Sequence, residues 1–101
     1  RVPFVLSLPG RLPAGAVFPH AVTTLDLAPT FLGLVGAPAE ETKGLSGVDV
    51  WPHLTGAVST PPHAELRWRF TVSAAIRDGD WKLVRLPDRL PQLYNLREDA
   101  A

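Results

Sequence analysis

Few residues of this chain have the types and spacing that chemistry requires. His20, His53 and His63 are far apart, and each follows a proline in a loop-like stretch. A metal site would want at least two ligands in register with carboxylates aimed at them, so these read as turn histidines. Ser7, Ser46, Ser59 and Ser73 sit in no G-x-S-x-G elbow, and none is assigned as a nucleophile. Residues 44–47, GLSG, lack the lysine and the spacing of a phosphate loop. Asp26 precedes an apolar helical pattern and reads as a helix cap ahead of a metal ligand or general base. Asp78 and Asp80 flank Gly79 and read as turn residues, while Glu40 and Glu41 form a solvated stretch. Arg67 and Arg69 project from one face of a strand beside Trp68, where they could meet an anion.

The elements that would position these groups can be read from periodicity. Residues 2–8, VPFVLSL, form a continuous apolar run closed by Pro9-Gly10, which predicts a strand covered on both faces. In TTLDLAPTFLGLVG, Leu25, Ala28, Leu32 and Val35 recur at helical spacing with Leu27, Phe31 and Leu34 beside them. This predicts a helix over residues 25–35 with a wide apolar face, ended by Gly36. Residues 37–63 read as connection, with one short helical turn in WPHLTG. ELRWRF then alternates Leu66, Trp68 and Phe70 against Glu65, Arg67 and Arg69, a half-buried strand. SAAIRDGDWKLVRL predicts a hairpin turning at Asp78-Gly79, and QLYNL a last short strand.

Composition bounds the function classes. Lys and Arg total 10, Asp and Glu total 10, and the net charge is zero over 101 residues. That balance gives no electrostatic basis for a nucleic-acid or anionic-membrane binder. The absence of Cys excludes disulfides, thiolate metal sites and a thiol nucleophile. No run is long enough for a membrane-spanning helix. The chain begins at Arg1 with no Met and reads as a segment of a longer protein. A chain of this length is expected to bury a modest core.

Four stretches together resemble the C-terminal portion of a sulfatase, of the arylsulfatase kind, in the alkaline-phosphatase-like superfamily. RVPFVLSLPGRLPAG resembles the family's R-[VE]-P-x-[ILV]-x-x-P-G strand and loop. VTTLDLAPTFLGLVGAP resembles its V-x-x-x-D-[LIV]-x-P-T helix, and LSGVDVWPHLTG its L-D-G link, with Ser46 where Asp is usual. AAIRDGDWKLVRL followed by QLYNLRED resembles the A-[VI]-R-x-G-x-W-K-L hairpin and E-L-Y-[DN]-L tail, the most specific part.

The resemblance implies an α/β alkaline-phosphatase-like fold. Residues 1–56 would be the end of the α/β catalytic domain and 57–101 a C-terminal antiparallel sheet subdomain. It implies a sulfuric ester hydrolase in the complete protein, with formylglycine attacking sulfur and Ca²⁺ stabilising the developing charge, both supplied upstream of Arg1. No catalytic or metal-binding residue is carried onto this chain, which is expected to be inactive alone. Trp68 and Arg69 are expected near bound substrate, and Arg1 just behind a catalytic lysine. The implied partners are the rest of the catalytic domain and a sulfate-ester substrate. The resemblance names periplasmic, secreted and lysosomal relatives and assigns no compartment. A related phosphonate or phosphodiester hydrolase, or an accessory module without chemistry, are the competing readings.

Overall fold

A computed structural model describes residues 2–98, which fall into two units, residues 1–62 and 63–101. The first unit carries a 3₁₀ turn, Thr24–Asp26, running into α1, Leu27–Leu34, then two single-turn helices, α2, Ala39–Thr42, and α3, Trp51–Leu54. The second is a meander of four antiparallel strands in the order β1-β2-β3-β4: Glu65–Phe70, Ser73–Asp78, Trp81–Arg85 and Gln92–Asn95.

The helix forms where the apolar period predicts it. Pro29 falls in the first turn of α1, where its missing N–H costs nothing. The helix ends in a double closure, with the N–H of Gly36 donating to Gly33 at 3.1 Å and that of Ala37 to Leu32 at 2.9 Å. Its packing differs from the expectation. Pro29 and Thr30 are its buried residues, whereas Leu25, Phe31 and Val35 stand exposed. The apolar stripe is only partly covered: Leu27, Leu32 and Leu34 are half-buried while Leu25, Phe31 and Val35 stay exposed.

What α1 packs against instead is the 47–50 segment. Asp26 and Thr30 are both 1% exposed. The Asp26 carboxylate accepts the N–H of Thr23 at 2.7 Å and that of Val48 at 2.9 Å. The Thr30 hydroxyl donates to the Asp26 carbonyl at 2.6 Å and accepts the N–H of Val50 at 2.9 Å. A Cβ on Gly47 would lie 2.0 Å from the Leu25 carbonyl oxygen, so only glycine lets the two backbones approach this closely.

Two expectations are overturned. Residues 2–8 form no strand, although the run is apolar and β-prone. A strand requires a neighbour for its N–H and C=O groups, and no other described segment pairs with it. The sheet found among the described residues is the expected small antiparallel one of the second unit. The core is also smaller than length alone suggests: Val50 and Leu66 are the buried hydrophobic residues among those described. A third difference is an addition. Ala39–Thr42 makes a helical turn inside the stretch read as connection, started by Pro38 and favoured by Glu40 and Glu41 in its first turn.

Candidate functional site

The sheet of the second unit holds the residues singled out from the sequence. Register fixes its two faces, because directly paired residues on neighbouring antiparallel strands share a side. Leu66, Arg77, Lys82 and Tyr94 form one row, and Trp68, Ala75, Val84 and Gln92 the next, on the first face. The second face carries the rows Glu65-Asp78-Trp81-Asn95, Arg67-Ile76-Leu83-Leu93 and Arg69-Ala74-Arg85.

Trp68 and Arg69 therefore stand on opposite faces of β1. Trp68 is 43% exposed and carries the Lys82 ammonium 5.8 Å from its ring centroid. That contact is a cation–π pair at an exposed site. Arg69 is exposed and has no carboxylate partner among the described residues. Arg67 differs, since its guanidinium is paired with Glu65 on the same face. Arg85 donates to the Val72 carbonyl at 3.2 Å and so leans toward the β1–β2 turn. The sequence reading singled out Arg69 but not Arg85. The Asp-Gly turn signal held the clue, because the register it sets aligns Arg85 with Ala74 and Arg69. Arg1, expected behind a catalytic lysine, lies outside the described residues.

The first unit holds the other candidates. Asp26 clamps the backbone N–H groups of Thr23 and Val48. His53 lies 2.8 Å from the Thr60 carbonyl through Nδ1, and His20 packs edge-on against Phe18 with centroids 5.2 Å apart. Among the described residues, no group of three or more His, Cys, Asp or Glu could hold a metal ion.

The expectation that the chain holds no C/S-x-P-x-R motif is wrong on the bare spacing: Ser7-Leu8-Pro9-Gly10-Arg11 fits S-x-P-x-R, the pattern that the resemblance links to formylglycine. The structure gives these residues other work. Ser7 is exposed, and Arg11 lies 4.9 Å over the Trp51 ring, holding the loop onto the start of α3. A hollow of about 660 Å³ lined within residues 5–16 includes Ser7 but no titratable side chain that could take its proton.

The most specific sequence stretches meet in space. The Leu96 N–H donates to the Asp80 carbonyl at 2.6 Å, and Arg97 lies 3.0 Å from the Asp80 carboxylate. The Asn95 side chain accepts the N–H of Arg97 at 3.1 Å, closing the turn after β4. The D-G-D-W-K-L hairpin and the Q-L-Y-N-L-R tail are thus two halves of one hydrogen-bonded corner.

Comparison with known proteins gives the chain its context. Arylsulfatase D of Homo sapiens is 35% identical over 63 residues, 62% of this chain and 11% of that protein. The crystal structure of Ps i-CgsB superposes with a TM-score of 0.74 and 34% identity, covering 92% of this chain and 22% of that one. The chain resembles the C-terminal portion of a sulfatase. Ps i-CgsB in complex with k-i-k-neocarrahexaose matches with the same TM-score, identity and coverage. No family profile matches the chain. The sulfatase-like chain spans about a tenth of its curated relative and about a fifth of the solved structures.

Proposed function

We infer that this chain is the C-terminal portion of an enzyme that hydrolyses sulfate esters, within an alkaline-phosphatase-like fold. The observation that carries the reading is the match to Ps i-CgsB, at 34% identity over 92% of the chain, alongside the match to arylsulfatase D. The k-i-k-neocarrahexaose held by Ps i-CgsB supports a saccharide as the substrate's body.

The role assigned to these residues is to hold shape and shape specificity. The Asp26 and Thr30 clamp fixes α1 to the 47–50 segment, and the four-stranded sheet presents Trp68 on one face and Arg69 on the other. Among the described residues, no group of three or more His, Cys, Asp or Glu could hold Ca²⁺. The ion and the formylglycine that the resemblance implies are assigned to the remainder of the enzyme.

The test is to express the longest reading frame containing residues 1–101 beside the 101-residue chain alone, and to assay both with 4-methylumbelliferyl sulfate and with sulfated carrageenan oligosaccharides. Sulfate release by the longer protein, and none by the chain alone, is the expected result. Turnover of the phosphate or phosphonate analogue in place of the sulfate would move the protein to the related hydrolases. Hydrolysis of neither would leave an accessory module.

A further inference from the structure

The second face of the sheet is electrically polarised along its strands. Glu65 and Asp78 stand in its first row, and Arg69 and Arg85 in its last, with Ala74 between them. Paired strands are about 4.8 Å apart, so two residues of one row on β1 and β3 stand roughly 10 Å apart at their Cα atoms. An arginine side chain reaches more than half that distance. Ala74, with only a methyl group, puts no long side chain between them. Arg85 already leans toward the β1–β2 turn through its 3.2 Å bond to the Val72 carbonyl, the segment that Arg69 abuts.

Neither arginine has a carboxylate partner among the described residues, and both are exposed. Arg67, one row away, is already paired with Glu65. Two exposed guanidinium groups in one row of one face, with a small residue between them, match an oxyanion, which each fork can bind through paired N–H donors. In a chain of zero net charge, this local excess of two positive charges has no counterpart within its own row.

We propose that Arg69 and Arg85, across the Ala74 notch, form a subsite for an oxyanion group carried by a saccharide: a sulfate ester or a carboxylate. As a substrate subsite it rests on the sulfatase reading above; as an anion site it stands on the sheet alone. Two arginines in one row favour multiply charged chains over singly charged ones.

The experiment is calorimetric binding to the protein of the longest reading frame containing residues 1–101. Its probes are sulfated maltotetraose, tetragalacturonate and neutral maltotetraose. Arg69→Ala and Arg85→Ala are each expected to weaken binding of the sulfated probe about tenfold, the loss typical of a charge-assisted contact. The double variant is expected to abolish it. Arg67→Ala is the control and should change it by less than about twofold, as befits an exposed, already paired cation. The arginine-dependent probe identifies the source: the sulfated one alone means a sulfate ester, and tetragalacturonate as well means that carboxylates are also accepted. Wild-type affinity in the double variant, no binding by the wild type, or an equal loss in Arg67→Ala would each overturn the subsite. Unchanged thermal midpoints separate these results from unfolding. A protein inert toward both 4-methylumbelliferyl sulfate and sulfated carrageenan oligosaccharides that still shows arginine-dependent binding would sink the sulfatase reading and leave the anion site standing.

Discussion

Thr71 and Gly79 occupy the same position in two successive two-residue turns, with φ of 51° and 53°. Phe70 pairs with Ser73 around the first turn and Asp78 with Trp81 around the second. Positive φ at the first loop residue alone is the pattern of a II′ hairpin turn, where glycine is favoured. Gly79 meets that demand without cost, whereas Thr71, β-branched, carries strain of about 1–2 kcal/mol.

The pair makes a reciprocal prediction. Thr71→Gly should stabilise the sheet by about 0.5–1 kcal/mol, the relieved strain less glycine's extra chain entropy. Gly79→Thr should destabilise it by about 1–2 kcal/mol. A Cβ at Gly79 would have no atom within 4 Å, so the cost there is purely conformational. Urea unfolding followed by the fluorescence of Trp68 and Trp81 measures both. A loss of stability in Thr71→Gly would show that the threonine is held there by something other than tolerance.

Asp26 should matter far more than an ordinary cap. Its carboxylate accepts two backbone N–H groups, from Thr23 and Val48, at a position 1% exposed. Asp26→Ala leaves both donors without that acceptor and is expected to cost about 2–4 kcal/mol. Asp26→Asn keeps one acceptor oxygen and should cost less. The unfolding midpoint reported by Trp51, with Trp68 and Trp81 replaced by Phe, reads the first unit alone. A cost under about 0.5 kcal/mol for Asp26→Ala would reduce the residue to a surface cap.

The second unit was largely legible because its instructions are local. Alternation in ELRWRF and SAAIRD, a glycine at the turn and aromatic or β-branched residues along the arms all specify the same meander. Even there, the turn residues shift by one, since Asp78 pairs with Trp81 and the loop is Gly79-Asp80. The first unit was less legible because its elements need distant partners. Residues 2–8 have strand composition but, among the described residues, pair with no neighbour, and the stripe of α1 is only partly covered. The burial of Asp26 and Thr30 depends on a segment about twenty residues away, which no helical period encodes. Arg85 was overlooked as a site residue because its importance lies in register, a property of three strands together.

Ser7 tests how far a bare motif can be trusted. If the S-x-P-x-R spacing at residues 7–11 is incidental, Ser7→Ala should leave sulfate-ester hydrolysis by the longer protein within about twofold of wild type. A loss of about a thousandfold or more, the scale expected when a covalent nucleophile is removed, would place the chemistry in this loop. Arg11→Ala separates the two roles: it should lower stability by about 0.5–1 kcal/mol through the lost contact with Trp51, without touching turnover.

The unpaired 2–8 segment should govern how this chain behaves in isolation. Val2 is 86% exposed, Val5 87% and Phe4 50%, in an extended run whose residues favour strands. Such a run is a template for pairing with another copy of itself, and a charge placed on it is the usual remedy. The isolated chain is therefore expected to self-associate as its concentration rises, measured by light scattering. Val5→Lys should raise the concentration at which this begins, while Leu90→Lys, at a residue 84% exposed in the other unit, should not. If both substitutions help equally, general surface hydrophobicity drives the association. If Val5→Lys alone helps, the segment is seeking the strand partner that its sequence anticipates.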